Sequence, residues 1–330
     1  MLKLSDFDYS IPKELIAQYP LKERESARLL VVERRSGRIT DRVFRDIGDY
    51  FERGDLLVLN DTRVLPSRLI GRRITGGRVE VLLLEHKEGM RFRAMFKPNR
   101  LKTGERISFD GGGVSAQIDS REELTFSGND VAAVYGAGLM PLPPYIKREA
   151  EPLDSIYYQT VYAREDGAVA SPTAGLHFTD RTLEGIRARG IDIAYLTLHV
   201  GAGTFRPVKS QDITAHKMEA EYFKIPHDSG ELIRKKQAAR ERIIAVGTTS
   251  LRALETYVLG RSEGLTDLFV YPGYTFKLTG ALLTNFHLPR TTLFMLVAAF
   301  AGEGLIKEAY RQAIDRKYRF YSYGDAMLIL

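Results

Sequence analysis

The 330-residue chain contains no cysteine. Disulfides, thiolate nucleophiles and thiolate metal sites are therefore excluded, and the composition suits a reducing compartment. Long apolar runs are missing as well: the longest, Leu293 to Ala301, falls far short of the roughly 20 residues that a membrane helix needs. The opening stretch, "MLKLSDFDYSIPKELIAQYP", meets charge and proline too early to hold a secretory apolar core. These absences predict a soluble cytoplasmic protein with no membrane association. No G-x-S-x-G elbow is present, which weakens a hydrolase reading. No two histidines stand four residues apart, so no metal is expected.

What is present is a core-forming apolar fraction of 44% on a chain long enough for two domains. The net charge of +6 suits a polyanionic partner, although charge alone is equally ordinary in basic enzymes. Helix and strand signals alternate up to about residue 63: Pro12 sits at a first helical turn in "IPKELIAQY", a hairpin is expected around Gly37, and "DLLVLND" reads as a buried strand. From 64 to 144 the pattern changes to short alternating segments such as "RVEVLLLEH" and "RFRAMFK", without a convincing helix, which predicts an all-β barrel. After the proline-rich crossing "PLPPYIKRE", apolar strands and capped helices alternate to the end. The expected architecture is a large three-layer α/β domain with a mostly parallel sheet, built from 1–63 and 145–330, into which the barrel of 64–144 is inserted.

Ligands of open α/β sheets sit beyond the carboxyl ends of strands, and several unusual loops fall there. In "LHVGAGTFRP", Gly201 and Gly203 would admit close backbone approach; Arg206 replaces the third glycine of a dinucleotide fingerprint, and a plain tight turn is equally compatible. Gly203→Val is therefore expected to abolish turnover while sparing the fold. In "AVGTTSLRALE", Thr248, Thr249, Ser250 and Arg252 open a helix as a carboxylate or phosphate cradle, the alternative being ordinary N-capping. His177, His199, His216 and His287 lie in loop or strand-end text, where at least one is expected to reach a site. Asp61 and Arg63 could pair with each other or grip a polar ligand. Tyr271 and Tyr274, around Gly273, could stack on a base or fill a turn. A second tyrosine cluster, including Tyr323, adjoins Asp325. Arg91, Arg93 and Lys97 could form a phosphate-tracking barrel face or a merely solvated one.

Taken in order, "DLLVLNDTRVLPSRL", "PLPPYI", "YQTVYA", "PTAGLHFT", "TLHVGAGTF", "AVGTTSLRALE", "YPGYTFK", "TNFHLPRTTLFMLV" and "YRFYSYGDAMLI" resemble the S-adenosylmethionine:tRNA ribosyltransferase-isomerase family of queuosine biosynthesis, over nearly the whole chain. Two departures are visible: Ser171 stands where that family usually has alanine, and Glu219 where it usually has a second histidine. The resemblance implies that S-adenosylmethionine is a co-substrate and that the partner is a tRNA carrying 7-aminomethyl-7-deazaguanine, with no obligate protein partner. The ribosyl group would be transferred and rearranged to give epoxyqueuosine, releasing adenine and methionine. It further implies that Thr173, Gly175, Thr204 and Asn285 join Gly201, Gly203, Thr248, Thr249, Ser250, Arg252 and Tyr271 around the cofactor. The four histidines would then be candidates for proton transfer, with Asp61, Glu219 and Asp325 as alternates. Asp61, Arg63, Tyr274, Tyr323, Asp325, Arg91, Arg93 and Lys97 would meet the nucleic acid. The competing reading is a non-catalytic RNA-binding protein that uses its barrel.

Overall fold

A computed structural model describes residues 2–110, 113–201, 203, 208 and 210–330. Nine strands form one sheet, ordered Glu263–Thr266, Glu221–Lys224, Asp192–Leu198, Leu56–Asn60, Ile243–Val246, Ala281–Asn285, Ala326–Ile329, Arg28–Val32, Ile39–Val43. The middle four, from Asp192–Leu198 to Ala281–Asn285, run parallel. Antiparallel pairs flank them, because Ala326–Ile329 returns against Ala281–Asn285 and Glu221–Lys224 folds back on Asp192–Leu198. The sheet is thus mixed, with a parallel centre.

Continuous apolar strands require cover on both faces, and both are covered. Leu56, Val58, Ala245 and Leu282 pack under the helices Thr248–Tyr257, Thr292–Ala301 and Glu303–Asp315. On the other face Leu57, Leu59, Ile244 and Leu283 meet the helix Asp180–Ala188 and the 3-10 segment Phe44–Tyr50. Three layers result. The expected helix in "IPKELIAQY" is only the short 3-10 turn Lys13–Leu15, since proline there starts a turn but no apolar stripe sustains it.

The barrel closes in the order Glu123–Phe126, Arg91–Lys97, Arg78–His86, Arg68–Arg73, Arg106–Phe109, Ser115–Ile118, every pair antiparallel. Alternation fills it: Leu69, Val79, Val81, Phe92, Ile107 and Leu124 point inward. A short helix that alternation conceals, Val131–Gly136, plugs one side with Val134 and is capped by the Asp130 carboxylate. Among the described residues no helix is long and apolar enough to cross a membrane.

Candidate active site

The four parallel strands end side by side, and a cavity lies at their ends. Asn60 ties the ends together. Its Nδ2 donates to the Leu198 carbonyl at 2.9 Å and to Thr249 Oγ1 at 3.3 Å, while its Oδ1 accepts from the Leu198 N–H at 3.0 Å. The strand Ile243–Val246 passes through Gly247, at φ +91°, straight into the helix Thr248–Tyr257. That turn needs glycine, and it aims the unpaired N–H groups and positive dipole end of the first helical turn at the cavity rim. Thr173, Thr248, Thr249, Asn285 and His287 all lie on its wall. Two buried side-chain atoms there lack a hydrogen-bond partner: Ser171 Oγ and Asn285 Oδ1.

The histidines separate. His287 lines this cavity, with Nε2 2.7 Å from Thr284 Oγ1, and burial pushes its pKa down to about 3, so the ring is neutral. His177 lies behind Asn285 and opens instead on a neighbouring cavity of about 300 Å³ beside Arg24 and Tyr323. Its ring packs 5.1 Å from that of Phe44. Burial, then the Arg24 and Arg319 guanidiniums, lower its pKa to about 3. His199 is outside these walls: Nδ1 meets Thr62 Oγ1 at 2.8 Å, the ring stacks on Tyr222, and burial lowers its pKa. His216 lies elsewhere, edge-on to Phe269, its pKa also lowered by burial.

Many other residues expected at the site are engaged inside the fold. Arg252 is 3% exposed, paired with Glu221 and donating to the Leu268 carbonyl at 3.0 Å, so its charge is neutralised away from the cavity. Ser250 Oγ donates back to the Val246 carbonyl at 2.7 Å. A Cβ on Gly175 would collide with the Tyr162 hydroxyl, which makes that glycine a packing requirement. Tyr271 and Tyr274 pack against Phe269 and Phe276, and Tyr274 donates to the buried Glu255, its own pKa pushed up to about 12 chiefly by burial. Glu255 also accepts the N–H groups of Lys277, Leu278 and Thr279, anchoring that whole loop. Asp61 and Arg63 do not pair: Asp61 accepts from Arg164 at 2.6 Å and Thr197 at 2.7 Å, whereas Arg63 faces Asp166 at 3.6 Å. Burial raises the Asp61 pKa. Tyr323 donates to Asp154, and Asp325 accepts the N–H groups of Arg28 and Arg319. Thr204 lies outside the described residues.

A larger cleft, of about 1820 Å³, separates barrel from sheet. The barrel contributes Arg93, Phe96, Asn99 and Arg121; the α/β side contributes Gly201, Gly203, Thr292 and residues 216–221, His216 among them. Its wall interleaves with that of the cavity at the strand ends: Val169 faces one and Ala170 the other, Gly201 one and Val200 the other, Thr292 one and its two neighbours the other. Gly201 donates to Glu221 Oε1 at 3.0 Å, and a Cβ on Gly203 would meet the Glu219 carboxylate. Lys97 opens on a separate groove with Arg68 and Glu149, while Arg91 is exposed on the same strand. Among the described residues no three histidines or carboxylates are grouped to hold a metal ion.

A cavity at parallel strand ends, abutting a cleft under an inserted barrel, can be set against known proteins. The family model described as queuosine biosynthesis protein matches residues 4–329. The chain belongs to that family. Relatives named S-adenosylmethionine:tRNA ribosyltransferase-isomerase include one from Sulfurihydrogenibium sp. (strain YO3AOP1), 50% identical over 336 residues, and one from Aquifex aeolicus (strain VF5), 46% identical over 334 residues. Each alignment covers 100% of both chains. The crystal structure of S-adenosylmethionine tRNA ribosyltransferase from Thermotoga maritima is similar at a TM-score of 0.58 and 38% identity, covering 98% of this chain and 100% of that one.

As an enzyme of the queuosine biosynthesis family, the chain places on its cavity wall several groups that motif reading passed over. Tyr145, Thr284, Tyr321 and Ser322 all contribute. Tyr145 arrives from the proline-rich crossing, and its hydroxyl lies 2.5 Å from Ser322 Oγ. Asn60 carries a readable cue, an amide at the end of a fully apolar strand that needs polar partners.

Proposed function

We propose that the enzyme transfers and isomerises the ribosyl group of S-adenosylmethionine onto 7-aminomethyl-7-deazaguanine at the wobble position of tRNA, giving epoxyqueuosine and releasing adenine and methionine. The observation that carries this reading is the shared wall between the two cavities, which suits a reaction joining a small nucleoside to a base on a large nucleic acid. S-adenosylmethionine occupies the cavity at the strand ends, its carboxylate at the first turn of the helix Thr248–Tyr257 and its adenine toward Asn285. The tRNA lies in the cleft, with Arg93 and Arg121 toward phosphates and the target base turned out of its loop. The inserted domain of 64–144 thereby serves as the upper jaw.

The sulfonium acidifies the adjacent 5′ carbon, so the reaction needs one group to take a proton and another to give one to the departing purine. His287 in the cavity, and His216 and Glu219 on the cleft wall, are the candidates within these two spaces. Residues buried elsewhere, His199 and Asp61, act by holding strand ends. The reaction runs where tRNA is found, in the cytoplasm. Incubation with S-adenosylmethionine and tRNA bearing the deazaguanine precursor should yield free adenine and an epoxyqueuosine nucleoside by mass spectrometry. Methyl transfer, or no adenine, would overturn the reading.

A further inference from the structure

Asn285 ends the strand Ala281–Asn285, is 2% exposed and is among the residues lining the cavity at the strand ends. Its Nδ2 lies 3.1 Å from the Tyr321 carbonyl oxygen. A carbonyl only accepts, so the nitrogen must face it; the flipped amide would set two oxygens against each other. The same Nδ2 lies 3.3 Å from His177 Nε2. That nitrogen therefore accepts, and the His177 proton sits on Nδ1. A protonated His177 would present a second donor to Nδ2 and push the amide round, but burial and two nearby guanidiniums hold the ring neutral. Both amide protons are thus spoken for, and Oδ1 is left without a partner. Ser171 Oγ, on the same wall and 5% exposed, is likewise unpartnered.

We propose that Asn285 is a specificity-determining residue, an acceptor locked in one orientation by the Tyr321 carbonyl and His177, which selects a purine bearing an amino group at the position it faces. His177 is a positioning residue in this scheme, since it acts through Asn285. The inference rests on the reading that S-adenosylmethionine occupies this cavity. An exposed amide could rotate to greet either a donor or an acceptor; a locked one discriminates. Adenine offers an N–H donor beside a ring-nitrogen acceptor, which matches Asn285 Oδ1 and the Ser171 hydroxyl. Hypoxanthine replaces that amine with an oxygen and sets acceptor against acceptor. Sites built on such buried pairing discriminate far more strongly than sites built on shape alone.

Calorimetry on the intact enzyme tests this with S-adenosylmethionine and its deaminated analogue, which carries hypoxanthine. The wild type should bind the amino form on the order of 100-fold more tightly. Asn285→Leu should bring the two affinities within a few-fold of each other. His177→Phe keeps a ring against Phe44 but removes the acceptor, so the preference should fall about tenfold. Loss of fold alone would weaken both ligands together and leave their ratio unchanged, so the ratio is the readout. Equal binding of the two ligands by the wild type overturns the proposal without any variant, as does a preference that survives Asn285→Leu. If neither ligand binds while tRNA does, the occupancy of the cavity fails first and the proposal with it.

Discussion

The cavity at the strand ends and the cleft differ in how they are built. The cavity is walled by strand ends and helix starts of one domain, fixed by Asn60, Thr249 and backbone groups, and it contains few charged side chains. The cleft is larger, lies between barrel and sheet, and mixes arginines with carboxylates. The first geometry suits a ligand whose atoms are read individually, the second a polyanion held mainly by charge. A further contrast cuts across both: Arg252 and Asp61, which look like ligand-binding groups in sequence, spend their charges inside the fold.

Breaking that last contrast gives the largest effect. Arg252→Ala removes the buried guanidinium that pairs with Glu221 and should cost about 3–5 kcal/mol in urea unfolding. Unchanged stability with lost S-adenosylmethionine affinity would make Arg252 a ligand contact after all. Acid probes the cavity side next. His177 and His287 titrate near 3 in the fold and near 6.5 when unfolded, so the unfolded chain takes up more protons between those values. Stability is therefore full above about pH 6.5 and falls as pH drops toward 3, by about 2 kcal/mol for each ring at pH 5. Unfolding curves of the wild type and of His287→Gln should converge on acidification. Parallel curves would mean that His287 is already charged in the fold.

Smaller effects sharpen the division of labour. Gly203→Val displaces the Glu219 carboxylate, a flexible group, so stability should move by less than about 1 kcal/mol while turnover drops. Turnover equal to wild type would remove Glu219 from the reaction. Arg93→Ala should weaken tRNA binding several-fold and lower the salt slope of binding by about one, leaving S-adenosylmethionine affinity untouched. A changed cofactor affinity would mean that the two spaces are not separate subsites.

The barrel was legible because alternation along "RVEVLLLEH" and "RFRAMFK" has one physical solution, and the parallel centre because "LLVLN" and "IIAV" must be buried on both faces. The flanking antiparallel strands were not, since direction depends on where "AMLI" docks and nothing local encodes that. At the candidate site, glycine and threonine loops lie at the strand ends, but pairing partners far apart in sequence decided which polar groups were free. Glu221, 31 positions before Arg252, and Asp154, 169 before Tyr323, are such partners. Conversely Asn285 finds its partners in Tyr321 and His177, neither near it in the chain.

In the proposed reaction one nucleoside sits at the strand ends and one base sits across the shared wall. A crystal structure of the enzyme soaked with S-adenosylmethionine tests it most directly. The account predicts adenine against Asn285 and Ser171, the carboxylate at Thr248, and the ribose directed toward Gly201 and Thr292. A ligand bound in the cleft, with the cavity at the strand ends empty, would contradict it.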